Sequence, residues 1–485
     1  MDDEEFELPP IEAPPTLESI LSETVGNGRK GVGTDTVLLG VSYQDANSVR
    51  AGEVCWGGGG TTSGRDNYKI LPLPLLKCKS VLHHVALKGV SAQIAAAADR
   101  INAGVPTAVA VSKAVAVGTS CGLVFIFDFS IDPSQVLKLC LGSTALGVQY
   151  GAVTALAVNS SCTQMLCGFA KGEIIQWDLE NGKVLRTIAK AHHFPAAVCN
   201  IKFTDDPSLA VFTDSIGSAF ELQFKRAVGG KTCETRCLFS GMKGKVCCVE
   251  PLCIKEHSPG HPVSQFSLLA MASLTKLLIV CLKPVLKVMF TAPYGKTGPS
   301  SVPLLAWQLV CIKDSMEPLL AFCRGTNVRF FHANFHEPGL NHPYTSIMEI
   351  NLQYELTNLK WINDSILLLL DGEDKLHVLD RESQQELEVL DLSALQLVRS
   401  LDSSETLETG VTVDQALAFI GETASYQSVC TYGGETAFLG AKSLAVVSLK
   451  TWKERIDHLV RQGQYAESLS LAWMFYEGTA KAAIG

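Results

Sequence analysis

Basic residues are in the minority in this chain: 40 Lys and Arg stand against 49 Asp and Glu, giving a net charge of -9 and a pI near 5.7. No stretch gathers Lys and Arg into a stripe, so the electrostatic footprint of a nucleic-acid-binding surface is missing and no nucleic-acid partner is expected. Long apolar runs are also missing. The longest, Phe266 to Leu282, contains Lys276 and falls short of the ~20 residues of a bilayer span, so it reads as a pair of buried strands. The start, Met1-Asp-Asp-Glu-Glu5, is acidic where a signal peptide needs a basic region, and a cytosolic chain is expected. Sixteen cysteines are few for 485 residues, and Cys167 and Cys281 lie within apolar runs. Buried reduced thiols are expected rather than a disulfide framework. Charge is low at 18% while 47% of residues are hydrophobic, which supplies a large core.

What is present is a repeat. Val153 to Ile188 reads as four short strands: Val153–Asn159 and Gln164–Gly168 around Ser160-Ser161, then Glu173–Leu179 and Lys183–Ile188 around Glu180-Asn181-Gly182. Asn-Gly between strand-like runs is a hairpin signal because both residues tolerate positive φ. One such sheet cannot bury both faces and needs neighbours of its own kind. Gly118-Thr-Ser120-Cys-Gly122 followed by Phe127-Asp128 matches Gly168-Phe-Ala170-Lys-Gly172 followed by Trp177-Asp178, with equal internal spacing. Fainter echoes begin at Asp214, Ser273, Arg324, Asp371 and Gly440. A period near fifty residues, each unit a turn and then a buried strand, resembles the WD-repeat β-propellers, with Gly118, Gly122, Asp128, Gly168, Gly172, Trp177 and Asp178 as the blade signature.

The fold expected is therefore mainly β: a degenerate propeller of about seven blades, followed by an αα-hairpin that begins an α-solenoid. Residues 1–75, acidic and then rich in Pro and Gly, read as a disordered tail, although Pro15 to Leu21 could form a short linear motif. Residues 80–103 are Ala-rich with Leu87, Ile94 and Ile101 at helical spacing, which predicts a helical lead-in that caps the propeller. The propeller is expected over 107–450, with polar insertions at Glu256–Pro262, Tyr294–Ser301, His336–Tyr344 and Ser400–Gly410 as candidate binding loops. Over 451–485, Trp452, Ile456, Leu459 and Val460 share one helical face, Gly463 breaks it, and Leu469, Ala472, Trp473 and Tyr476 mark a second helix. A single hairpin cannot bury its own face, so a continuing solenoid is expected.

Several groups look chemical. Ser120 matches a G-x-S-x-G nucleophile elbow, but a strand follows where a helix is required, and the next repeat carries Ala170 in the same slot. Gly295-Lys296-Thr297 resembles the end of a phosphate loop, but the earlier glycine position holds Phe290. Cys248, Cys253, His257 and His261 offer zinc-type ligands at a spacing shorter than that of a finger, and the cysteines continue an apolar strand. His192-His193 falls at an inter-blade turn, where a structural role is favoured. No catalytic constellation, metal site or cofactor is predicted.

Particular stretches narrow the propeller-solenoid plan: Cys140-Leu-Gly-Ser-Thr144, Gly151-Ala-Val-Thr-Ala155, Ile201 to Pro207, Gln265 to Thr275, Val302 to Trp307, Trp452-Lys-Glu-Arg455 and Ala480-Lys-Ala482. Together they resemble the vacuolar protein sorting-associated protein 8 family, over roughly residues 80 to 485. The resemblance implies a non-enzymatic scaffold, the Rab-binding subunit of the CORVET tether, located in the cytoplasm and peripherally on early endosomal membranes. Its implied partners are an endosomal Rab GTPase in the GTP form and the other tether subunits. The RING domain that ends this family is not within these residues. Another tether or coat subunit, or a serine esterase acting through Ser120, are the alternatives.

Overall fold

A computed structural model describes residues 81–482, apart from 130–135, 190–195, 228–229, 255–259, 295–301, 313–314, 334, 336–343 and 399–426. Its strands form seven four-stranded antiparallel sheets, the blades of a β-propeller. Blades 1 to 6 are consecutive meanders that begin at Pro106, Val153, Val198, Val246, Leu304 and Leu356. Second strands such as Ala114–Thr119, Leu209–Asp214 and Ile366–Asp371 are buried at every residue, because each is covered on both faces by neighbouring blades. Their sequences are accordingly continuous apolar runs, whereas outermost strands such as Gln385–Asp391 are largely exposed. The innermost strands of blades 1, 2, 3, 4 and 6 share a register shift after their first residue, at Pro106, Val153, Val198, Val246 and Leu356. A bulge at the same place in each blade adds twist where the sheets converge.

The repeated glycines have two different reasons. A Cβ on Gly118 would lie 2.4 Å from Val153 Cγ1, and one on Gly168 would lie 2.5 Å from Val198 Cγ1, so each glycine lets the next blade's innermost strand approach. Gly122 and Gly172 instead hold φ of 80° and 97° in the turn between second and third strands, a region open to glycine at little cost. Trp177 is 6% exposed in the core between blades 1 and 2, and its Nε1 has no hydrogen-bond partner among the described residues. Asp178 ties the following turn, accepting from Glu180 N–H and Asn181 Nδ2 at 2.9 Å each.

Blade 7 departs from the expected order. Its first three strands are Val429–Tyr432, Glu435–Leu439 and Leu444–Leu449, and the fourth is Leu82–Ala86, paired antiparallel from Leu82 opposite Leu449 to Ala86 opposite Ala445. Residues 80–103, expected as one helical lead-in, thus begin as a strand. The open edge of Leu444–Leu449 pairs with it, and a segment of only five residues takes the structure that satisfies its backbone. The N–H groups of Val81 and Leu82 both donate to Glu388 Oε2 of blade 6, at 2.6 and 2.8 Å. The helix α1 follows at Lys88–Ile101; Val90 and Ile94 are buried against blades 7 and 1, while Ile101 is exposed.

Beyond blade 7, α3 (Trp452–Arg461) and α4 (Tyr465–Tyr476) form a hairpin, with α2 lying earlier at Thr144–Tyr150. A capping box of Thr451 and Glu454 starts α3. Arg455 is buried and donates to the carbonyls of Lys481 and Ala482, and Ala482 packs with Val81 and Leu82 beside the closing strand. The hairpin's apolar residues Leu469, Trp473 and Tyr476 face outward. The segment 1–75 lies outside the described residues.

Candidate interaction surface

Strand directions sort the connections onto two ends. Connections from each blade to the next, together with those between second and third strands, form the top; it carries α1 and α2. The bottom carries the other turns, the entry to Leu82 and the hairpin α3–α4.

The top rim is cross-linked between blades. Ser143 caps α2, accepting from Leu146 N–H, and Lys171 Nζ of blade 2 donates to the carbonyls of Val148 and Gln149 at the helix C-terminus, at 2.9 and 3.1 Å. A Cβ on Gly147 would strike the Cys121 carbonyl, so α2 lies directly on the blade 1 turn. Further round, Gly241 N–H donates to Ser218 Oγ, Val246 N–H to the Gly217 carbonyl and Leu274 N–H to the Lys245 carbonyl. Arg324 of blade 5 donates to the Leu274 carbonyl and lies 4.7 Å from the Tyr294 ring. This belt exposes large apolar side chains: Val148 at 80%, Met242 at 86%, Ile216 at 40% and Leu274 at 38%. Apolar side chains on pre-ordered connections suit protein contact. The sequence reading missed these four because nothing in their own segments marks them as exposed: Leu274 sits inside the longest apolar run and reads as core, and Ile216 and Met242 are single apolar residues between polar ones and glycines. Three of them sit beside glycines of the top connections, at Gly147 in α2, Gly217 and Gly241, and that was the available signal.

The chemical candidates resolve into structure. Ser120 lies in the turn leading to the strand Leu123–Asp128, and its Oγ accepts from Val105 N–H at 3.0 Å. Cys248 and Cys253 do not converge: Cys248 Sγ donates to the Pro303 carbonyl of blade 5, and Cys253 Sγ contacts the Phe203 carbonyl of blade 3. Burial holds the Cys248 thiol far above its ordinary range and thus neutral, unlike a metal-binding thiolate. His261 is buried, with Nδ1 accepting from Val263 N–H at 3.1 Å and Nε2 lying 3.5 Å from Glu317. Among the described residues no cluster of three or more His, Cys, Asp or Glu is arranged to hold a metal. His257, His192-His193 and Gly295-Lys296-Thr297 lie outside the described residues, as does most of the four expected binding insertions. No helix among the described residues is long and apolar enough to cross a membrane.

The family model for the Vps8 beta-propeller matches residues 80–448, which include the closing strand. The chain belongs to the Vps8 propeller family. The mouse and human proteins named vacuolar protein sorting-associated protein 8 homolog are 51% and 50% identical over 485 residues, 100% of this chain. The Drosophila melanogaster homolog of the same name is 33% identical over 97% of the chain. This Vps8-type propeller and its hairpin span 34% of the length of the mouse and human relatives and 36% of the fly protein.

Proposed function

We propose that this chain is the recognition end of a vacuolar and endosomal sorting subunit, a non-enzymatic scaffold whose propeller binds an endosomal Rab GTPase in its GTP form. Through that contact it assembles with the CORVET tether on early endosomal membranes, as a peripheral cytoplasmic protein. The observation that carries the proposal is the match to the Vps8 propeller over residues 80–448, joined to relatives named for vacuolar protein sorting. The cross-linked top rim supports it: Val148, Ile216, Met242 and Leu274 are exposed apolar groups held on a scaffold that needs no ordering on contact. A GTPase orders its switch segments only while the γ-phosphate is present, so a surface that reads them discriminates the two nucleotide states.

The test is titration of the 485-residue chain against endosomal Rab GTPases loaded with a non-hydrolysable GTP analogue or GDP. Expected are binding of the GTP form alone and at least a tenfold loss in a Val148→Asp, Met242→Asp double variant. Deleting residues 1–75 should leave affinity unchanged. Equal affinity for both nucleotide forms would refute the effector role, and an unaffected double variant would move the contact off the top rim.

A further inference from the structure

The central channel is lined by the innermost strands Pro106–Val111, Val153–Val158, Val198–Phe203, Val246–Pro251, Leu304–Ile312, Leu356–Trp361 and Val429–Tyr432, whose charged residues are Lys202, Glu250 and Lys360. The shared register shift sets Ala110, Ala157, Lys202, Glu250 and Lys360 at one level. Two indoles add blade 5 to that level: Trp307 Nε1 donates to the Glu250 carbonyl and Trp361 Nε1 to the Ala306 carbonyl, at 3.1 Å each. The result is a ring in which Ala110, Ala157 and, on blade 5, Ala306 leave room for two lysines and one carboxylate.

The charges do not balance. Lys202 Nζ is paired with Glu250 Oε2 at 2.5 Å. Lys360 has no ion-pair or hydrogen-bond partner among the described residues. Burial and then the charge of Lys202 hold its ammonium below the ordinary lysine range, opposed by Glu250. Lys202, on blade 3, acts on Lys360, on blade 6, across the channel. The blade 1 and 2 side is closed by uncharged contacts: Leu156 N–H donates to Gln427 Oε1, Val109 N–H to the Gln427 carbonyl and Val111 N–H to Cys430 Sγ. An ammonium in a channel whose one carboxylate is already paired with Lys202 is under-compensated, and an anion seated beside it relieves that cost.

We propose that this ring is a phosphate-binding site, in which Lys202 and Lys360 hold the phosphate group of a small soluble ligand within the propeller channel. Lysine serves phosphate as a compact point charge, and the low-dielectric walls of a channel strengthen the attraction. Two ammonium groups against one carboxylate favour an anion over a cation. Glu250 limits affinity by holding Lys202, which gives the site a lever that can be removed without touching Lys360.

The test follows thermal unfolding of the 485-residue chain at pH 7.5 while sodium phosphate replaces sodium chloride at constant ionic strength. A saturable rise in Tm is expected in the wild type. Lys360→Met, which keeps the length of the stem, should fold with a cooperative transition and show no rise. Glu250→Gln, which releases Lys202, should saturate at a several-fold lower phosphate concentration. A parallel titration with glycerol phosphate separates the sources: an equal or larger rise marks an esterified phosphate as the ligand, and a rise with inorganic phosphate alone marks the free ion. No saturable rise in the wild type, or an equal rise in Lys360→Met, would overturn the site. If Lys360→Met fails to fold, the Glu250→Gln shift decides, and an unchanged half-saturation in that variant counts against the proposal.

Discussion

Trp177 permits a quantitative test of how blades 1 and 2 are held together, because its indole combines a packing role with an unsatisfied polar group. The side chain is 6% exposed in the core shared by those blades, paired opposite Met165 on one side and Val184 on the other. Truncation to Ala removes the ring and leaves a cavity in a rigid interface, a loss of about 3–5 kcal/mol. Unfolding entropy near 2.1 cal/mol/K per residue, over the ring from residue 82 to 449, gives roughly 0.8 kcal/mol/K, so Trp177→Ala should lower Tm by about 4–6 °C. Trp177→Phe should behave differently. It gives up part of the ring but also removes the buried N–H that has no partner, whose desolvation costs about 1–3 kcal/mol. The two effects nearly cancel, and a Tm within about 2 °C of wild type is expected. Differential scanning calorimetry of both variants checks this. A Phe variant as damaged as the Ala variant would show that the indole N–H is satisfied, and an Ala variant within 1 °C of wild type would remove Trp177 from the blade core.

Gly168→Ala should lower stability by about 1–3 kcal/mol, because the new Cβ arrives 2.5 Å from Val198 Cγ1. Gly372→Ala is the control, with nothing within 4 Å of its added methyl; equal urea midpoints for the two variants would refute the close-approach account. Stability should also fall in base. Burial raises Cys167 far above its ordinary 9.0 and Cys323 to about 12, so above pH 9 the unfolded chain loses these protons while the folded one keeps them. The stabilisation is complete below pH 9 and drains as pH rises, by about 1.4 kcal/mol per thiol at pH 10. Urea midpoints from pH 8 to 10.5 should decline in the wild type and decline less steeply in a Cys167→Ala, Cys323→Ala variant, where Cys248, Cys199 and Cys281 remain as thiols that burial also raises; parallel slopes would exclude Cys167 and Cys323 as contributors.

The parts of this fold that local sequence determines were legible in it. The turn glycines Gly122, Gly172 and Gly182 are set by positive φ, and φ preferences are written residue by residue; Asn181, read as a second positive-φ position of its hairpin, does not take one. Second and third strands were visible because burial on both faces makes them uniformly apolar. The closing strand was not, since Leu82–Ala86 owes its structure to Leu444–Leu449 across most of the chain. Of the helical stripe before blade 1, Leu87 and Ile94 are buried as read, Val90 joins them, and Ile101 is exposed. The channel ring was equally hidden. Lys202, Glu250 and Lys360 are unremarkable in their own segments and meet only when seven strands converge. The rim residues Val148, Ile216, Met242 and Leu274 became a surface only once the blades had placed them at one end.

The closing strand also sets the order in which this protein can become complete. Leu82–Ala86 leaves the ribosome before any blade, yet its pairing partner Leu444–Leu449 is among the last parts of the propeller to be made. Blades 1 to 6 can each assemble from contiguous chain, but ring closure waits for a contact of very long sequence separation, the kind that slows folding most. Throughout synthesis the first strand must stay unpaired without recruiting another edge. Its sequence, Leu-His-His-Val-Ala, suits that delay: both histidines point to solvent and only five residues offer a ladder. Amide hydrogen exchange during refolding should therefore protect blade 2 early and the Leu82–Ala86 amides last.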